Sequence, residues 1–125
     1  MLTEQAKFPR YLVQTLRRLN SSVYIPGVDL SNYEHQFANV VACTSAHQVT
    51  NLEQAFVDLS IYLRAEIPPN EQAYYLRHMS VLAARICELK EIDVLVSHQT
   101  GLTFDKTGRQ LPDSPLLGMG STLRL

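Results

Sequence analysis

The chain has 125 residues, enough for one domain with a hydrophobic core and too few for two domains of ordinary size. Its formal net charge of −1 excludes nucleic-acid binding that depends on net positive charge alone. Charged residues make up only 18% of the chain, below the roughly 25% of typical soluble domains, so we expect a partner or a second copy to cover part of the surface.

The chain carries two cysteines, Cys43 and Cys87, and neither belongs to a Cys-X-X-Cys pair. This pattern excludes a disulfide-rich scaffold. The first 20 residues lack the continuous apolar segment of a signal peptide, and no later segment approaches the roughly 18 apolar residues needed to span a membrane. We therefore expect a soluble, cytoplasmic protein.

A first helix is predicted from about Phe8 to Leu19. Pro9 fits the first turn of a helix but not its interior, so residues 1–7 are predicted to form an arm. The helix is amphipathic, and its polar side is basic, whereas carboxylates predominate between residues 29 and 71. Such polarity suits head-to-tail or hetero-association. The candidate contacts for an anionic partner are Lys7, Arg10, Arg17 and Arg18.

A second helix is predicted after the connection that contains Pro26-Gly27. Ser31 and Glu34 match a capping box for its start, because each side chain can bond the backbone N–H at the other position. The apolar pattern continues to about Ala46. We therefore expect the helix to run from the capping box to that residue.

A third helix is predicted to begin at Thr50 or Asn51 and to continue until Pro68-Pro69 ends it. The following segment, Asn70–Lys90, has the longest helical apolar pattern of the chain and contains no Gly or Pro. The apolar residues of its main stripe are Leu76, Met79, Leu82, Ala83, Ile86 and Leu89. Three further apolar residues lie outside that stripe: Val81, Ala84 and Cys87. Because so much of its circumference is apolar, this helix must be covered on more than one side and is predicted to be central.

Residues 92–98 fit either an extension of the central helix or a strand, and we favour a helix that ends between Lys90 and His98. Residues 102–111 predict a short hairpin. The predicted fold class is all-α, a compact bundle of about four helices with a short C-terminal hairpin or irregular segment. Residues 1–111 would form this domain and residues 112–125 an extended tail.

The predicted tail contains two Pro and two Gly and has no periodic apolar pattern. It nevertheless carries five large apolar residues: Leu116, Leu117, Met119, Leu123 and Leu125. We interpret the tail as an attachment element that binds another chain, although it can also fold back over its own bundle. If the first interpretation holds, deleting residues 112–125 should weaken association and leave the fold intact.

The residues Asp105-Lys106-Thr107-Gly108 follow an apolar stretch, and the motif resembles the phosphorylation site of P-type transport ATPases. In that family the Asp accepts a phosphoryl group, and the Gly is followed by a Thr, a position that is Arg109 here. The family's motif belongs to a large domain with metal and nucleotide sites, whereas only residues 109–125 follow it in this chain. We therefore predict a hairpin turn, for which Lys-Thr-Gly is suitable.

Enzymatic and metal sites are not predicted. Cys43 and His47 have the four-residue spacing of two ligands on one side of a helix, with Cys87 as a third candidate, but a structural zinc site needs four ligands. The chain also lacks the GxSxG, GxxxxGK, HExxH and GxGxxG motifs. We therefore expect no catalytic residues, no cofactor and no metal.

These observations predict a non-enzymatic helical adaptor or structural subunit. It would bind other protein chains, as a homo- or hetero-oligomer, through its termini and its under-charged helical surface. The alternative is an accessory nucleic-acid-binding subunit of a nucleoprotein complex that uses the basic face of the first helix. Four cations release few counterions, so such binding would be weak.

Overall fold

The computed structural model describes residues 9–22, 33–112 and 121–125. Within these residues, four α-helices precede four short β-strands. The helices are α1 (Arg10–Ser22), α2 (Tyr33–Cys43), α3 (Val49–Ala65) and α4 (Pro69–Lys90), and a short 3-10 helix (Ala46–Gln48) precedes α3. The strands are β1 (Val94–Val96), β2 (Thr103–Asp105), β3 (Gln110–Leu111) and β4 (Thr122–Arg124).

The predicted all-α fold is wrong, because the described residues after α4 form a four-stranded mixed sheet with the strand order β3-β2-β1-β4. β1 and β2 are antiparallel, as are β2 and β3, whereas β1 and β4 are parallel. The ambiguous segment 92–98 contains β1 and does not extend α4. All three side chains of β1 are buried, and the β-branched Val94 and Val96 favour an extended backbone in such surroundings.

α4 ends at Lys90 because Glu91 adopts a left-handed backbone conformation, with φ 55° and ψ 49°. The backbone N–H groups of Glu91 and Ile92 both donate to the carbonyl of Cys87. These bonds satisfy a terminal carbonyl of the helix and turn the chain toward β1. A left-handed residue other than glycine is uncommon, so the residue type at this position does not reveal the helix end.

The predicted helices are present, with shifts at their ends. The N–H groups of Leu12 and Val13 donate to the carbonyl of Pro9, so α1 begins directly after the proline, close to the predicted start at about Phe8. α2 ends at Cys43, before the predicted Ala46. The predicted arm, the Pro-Gly connection and Ser31 of the capping box lie outside the described residues. No described helix is both long enough and apolar enough to cross a membrane.

The prediction that the Asn70–Lys90 segment forms the central helix is confirmed. α4 contacts α2, α3, β1 and β2, while α1 packs against α2 and α3. One apolar cluster joins the four helices to the sheet, and in it the rings of Phe56 and Phe104 have centroids 5.8 Å apart and planes at 78°. The sheet therefore covers a part of the surface of α4 that we expected other helices to cover.

Candidate functional site

A groove with a volume of about 880 Å³ runs along one side of α4. Its floor contains Val81, Ala84 and Cys87, the three apolar residues outside the main stripe of the central helix. Cys87 is buried, but Val81 and Ala84 are only partly buried. The groove is therefore the side of α4 that the other described elements cover incompletely.

The two walls of the groove come from distant parts of the chain. On one side α2 contributes Ala38 and Ala42, which are exposed and lie one helical turn apart. On the other side are the turn between β2 and β3, with Lys106 and Thr107, and the residues that follow α4, with Ile92. The small side chains of α2 leave room for another chain to approach.

The second wall is held by Asp105, at the end of β2. A single carboxylate oxygen of Asp105 accepts hydrogen bonds from the N–H of Thr107 at 2.9 Å, the hydroxyl of Thr107 at 2.6 Å and the N–H of Arg109 at 3.0 Å. Burial raises the pKa of the Asp105 carboxyl, but these hydrogen bonds outweigh that effect and lower the pKa. The predicted hairpin turn is confirmed, and Asp105 is its cap.

The same turn is fastened to α4 at Gly108, whose φ is 87°. A Cβ atom at this position would lie 2.9 Å from the carbonyl oxygen of Ser80, closer than such atoms approach one another. The hydroxyl of Ser80 donates to the carbonyl of Gly108. Glycine is thus required both by the backbone conformation and by contact with the helix.

Arg85 lies at the junction between the floor and α2. One Nη of its guanidinium donates to the carbonyl of Thr44 at 2.8 Å, just after the end of α2, and the other donates to Glu88 Oε1 at 2.6 Å. Its Nε is buried and has no hydrogen-bond partner within the described residues. Arg85 therefore satisfies a carbonyl at the end of α2 and neutralises one carboxylate beside the groove.

The rim of the groove has an excess of one negative charge, because the carboxylates of Glu88, Glu91 and Asp93 stand against Arg85 and Lys106. The amine of Lys106 lies 3.5 Å from Asp93 Oδ1. The other oxygen of Asp93 accepts the N–H of the residue before β4 at 3.2 Å. The cations are thus already paired within the rim, whereas Glu91 is exposed.

Cys87 is not a candidate nucleophile. Burial of its side chain, with smaller effects from the carboxylates of Asp105 and Asp93, raises the pKa of the thiol to about 11. At neutral pH the thiol therefore stays protonated, and the thiolate is the reactive form. The apolar character of this residue is what contributes to the groove.

The candidate metal ligands are not brought together. Cys43 is exposed, and the Nδ1 of His47 lies 3.0 Å from the hydroxyl of Ser45, within hydrogen-bonding distance. In the part of the chain that the structure describes, no three His, Cys, Asp or Glu side chains are placed to hold a metal ion.

The basic residues of α1 are exposed, but two of them have partners within the molecule. Arg18 forms an ion pair with Asp58 of α3 at 3.0 Å. The guanidinium of Arg10 lies 4.8 Å from the ring centre of Tyr11 and donates to its hydroxyl, and that hydrogen bond raises the pKa of Arg10. Lys7 lies outside the described residues, and neither Arg10, Arg17 nor Arg18 lines the groove.

The predicted attachment residues are divided by the structure. Leu123 in β4 and Leu125 directly after it are partly buried and pack against the core. The other three, Leu116, Leu117 and Met119, lie outside the described residues. Sequence reasoning named no groove, although the off-stripe apolar residues of α4 and the four-residue spacing of Ala38 and Ala42 were its visible signs.

Comparison of the chain with protein-family models, with curated proteins and with solved structures finds no match.

Proposed function

We propose that this chain is a non-enzymatic adaptor or structural subunit that binds another protein chain in the groove between α2, α4 and the β2–β3 turn. A segment of the partner would cover the side of α4 that carries Val81 and Ala84. The main contact with the partner would then be the groove, and not the termini that the sequence predicted. The attachment role of the C-terminal segment stays a prediction.

The incomplete cover of α4 is the observation that supports the proposal. The neighbouring residues Leu82 and Ala83 are fully buried, whereas Val81 and Ala84 form a half-buried apolar strip. Two exposed alanines of α2 extend this strip across the groove. An apolar centre with a charged rim is the usual anatomy of a protein interface.

The volume of the groove also falls within the range of small-molecule sites, so the distribution of polar groups decides between the two uses. Small-molecule sites direct a few polar groups at the ligand. Here Arg85 bonds Glu88 and the carbonyl after α2, while Lys106 faces Asp93. The cations of the rim are therefore already bonded to neighbouring groups, and the floor between the walls is apolar, an arrangement that favours apolar side chains of a protein.

The proposal is tested by site-specific crosslinking. A photoreactive amino acid would replace Ala42 in the groove wall, and a matched control would place it at Ala73, which is exposed on α4 outside the groove. After irradiation in cells of the native host, we expect a discrete adduct from position 42 and not from position 73. Mass spectrometry of the adduct would identify the bound segment.

A second variant, Ala42→Arg, checks that the adduct depends on the groove. Its long charged side chain would obstruct the wall, so co-purification of the crosslinked partner should be lost, whereas Ala73→Arg should retain it. Adducts of equal yield at both positions, or a partner that binds Ala42→Arg as well as the wild type, would contradict the proposal.

A further inference from the structure

We propose that the occupant of the groove is an amphipathic helix of another protein, with Lys or Arg beside its apolar stripe. This inference rests on the proposed function. Three features support this inference: the mainly helical lining of the groove, the charge of its rim and the burial of the basic helix within this chain.

The lining of the groove favours a helix over an extended peptide as its occupant. The groove is lined mainly by side chains of α2 and α4, whose backbone groups are bonded within each helix. An extended segment lying on Ala38, Ala42, Val81 and Ala84 would find few partners for its own N–H and C=O groups. A helix satisfies these groups internally and presents only side chains to the floor.

The length of the groove fits a short helix. The lining residues of α4 run from Ser80, and the groove continues to Glu91 directly after the helix. At about 1.5 Å per residue this distance is about 16 Å, or three helical turns. The alanines on α2 and α4 allow the axis of the incoming helix to come close, because interaxial distance depends on the side chains at the contact.

The rim selects the charge of the occupant. Glu88 is already paired with Arg85, whereas Glu91 is exposed and supplies the excess negative charge of the rim. Glu91 directly follows the C-terminal end of α4, where the helix dipole adds a partial negative charge. A Lys or Arg on the flank of the incoming helix would meet the carboxylate of Glu91 and this helix end.

A second copy of this chain does not supply such a helix through α1. The basic helix α1 is amphipathic, but its apolar residues Leu12, Leu16 and Leu19 are buried in its own core. Only its polar face would be free to meet the apolar floor of a neighbouring copy. The basic helix of a second copy is therefore not a suitable occupant, and the proposal commits to a helix of a different protein.

The inference is tested by fluorescence anisotropy with two synthetic helical peptides of about 18 residues. Both carry the same Ala/Leu stripe, one with Lys at the flanking positions and the other with Glu. At low salt we expect the Lys-flanked peptide to bind the wild type and the Glu-flanked peptide to bind at least about tenfold more weakly. Glu91→Lys should weaken binding of the Lys-flanked peptide about fivefold, and the matched control Glu71→Lys, in the first turn of α4, should not.

The outcomes separate the two proposals. Equal binding of both peptides that is lost in Ala42→Arg would leave the groove as a helix site and overturn the selection of charge. Binding that survives in Ala42→Arg, or no binding of either peptide, would overturn the helical occupant. The crosslinking at position 42 then decides independently whether the groove binds a protein.

Discussion

Asp105 shows how one carboxylate can position a wall of the groove. One of its two oxygens, Oδ1, accepts three hydrogen bonds in the turn, two from Thr107 and one from Arg109. A charged acceptor makes each of these bonds stronger than a neutral one would. The position of Lys106 at the rim therefore depends on the ionised state of the residue before it.

We expect Asp105→Ala to lower the free energy of unfolding by about 0.5–1.5 kcal/mol at pH 7, because it removes the acceptor of the turn, whose exposed donors then bond water. Urea denaturation followed by circular dichroism measures this loss. Asp105→Asn, which keeps an acceptor oxygen but no charge, should lose less. An Asp105→Ala variant as stable as the wild type would contradict the role of this residue as the cap.

The difference in stability between the wild type and Asp105→Ala should also depend on pH. The pKa of Asp105 is lower in the folded than in the unfolded state, so folding favours the ionised form. Its contribution is complete above the unfolded value of about 3.9 and is lost as the pH falls through the lower folded value. The difference in unfolding free energy between wild type and Asp105→Ala should therefore shrink below about pH 4. A difference that stays constant into that range would contradict the assignment.

At the scale of elements, the hairpin and α4 meet so closely that one residue must have no side chain. Gly108 combines a left-handed φ with contact to the carbonyl of Ser80, a residue 28 positions earlier. The hairpin cannot slide along the helix without losing this fit. The width of the groove between the hairpin and α2 is therefore fixed at this contact.

We expect Gly108→Ala to destabilise the protein more than Gly101→Ala, which serves as its control. Both residues have positive φ, 87° and 79°, so each substitution costs about 1–2 kcal/mol from the backbone conformation. At Gly108 the new Cβ would in addition collide with the backbone of α4. Thermal unfolding by calorimetry measures both variants. Equal losses would mean that the hairpin moves away from α4 at little cost.

The helices were predictable because their signals are local. The apolar period of α4 lies within that helix, Pro9 directly precedes α1, and Pro68-Pro69 marks the start of α4. The sheet was not predictable in this way, because β1 has only three residues and β4 joins it from the far end of the chain. A three-residue apolar segment shows no period that separates strand from helix.

The candidate site was predictable only in part, for the same physical reason. Val81 and Ala84 were identified as apolar residues in need of cover, and the turn chemistry of Asp105 was read from its neighbours. The groove itself depends on the distance between α2 and the hairpin, which both pack against α4. Such a juxtaposition has no signal in a single sequence.

At the scale of the whole molecule, the sheet joins the end of the described chain to its centre. Asp93, at the rim of the groove, exchanges hydrogen bonds with Ser121 in both directions, and Ser121 leads directly into β4. β4 then runs parallel to β1, whose residue Leu95 belongs to the core. The rim, the core and β4 are therefore linked by hydrogen bonds and packing.

This arrangement gives a different expectation for truncation from the one drawn from the sequence. Deleting residues 121–125 would remove the backbone hydrogen bonds between β1 and β4, each contributing about 0.5–1.5 kcal/mol, and would expose core surface under Leu123 and Leu125. The four backbone bonds that residues 121 and 125 make with β1 and its flanking residues contribute about 2–6 kcal/mol together. This is a large part of the roughly 5–15 kcal/mol that stabilises a typical domain. We therefore expect the midpoint of thermal unfolding to fall by roughly 10 °C or more.

Single substitutions in β4 test whether the loss of stability on truncation comes from side-chain packing. Leu123→Ala should reproduce part of the loss, because its side chain is partly buried against the core. Arg124→Ala, at the exposed neighbouring position, should leave the midpoint nearly unchanged. If the truncated chain and Leu123→Ala both unfold like the wild type, β4 adds nothing to the fold, and the last residues are then free to act as the attachment segment that their composition predicts. If both lose stability as expected, any partner must bind β4 in place on the sheet.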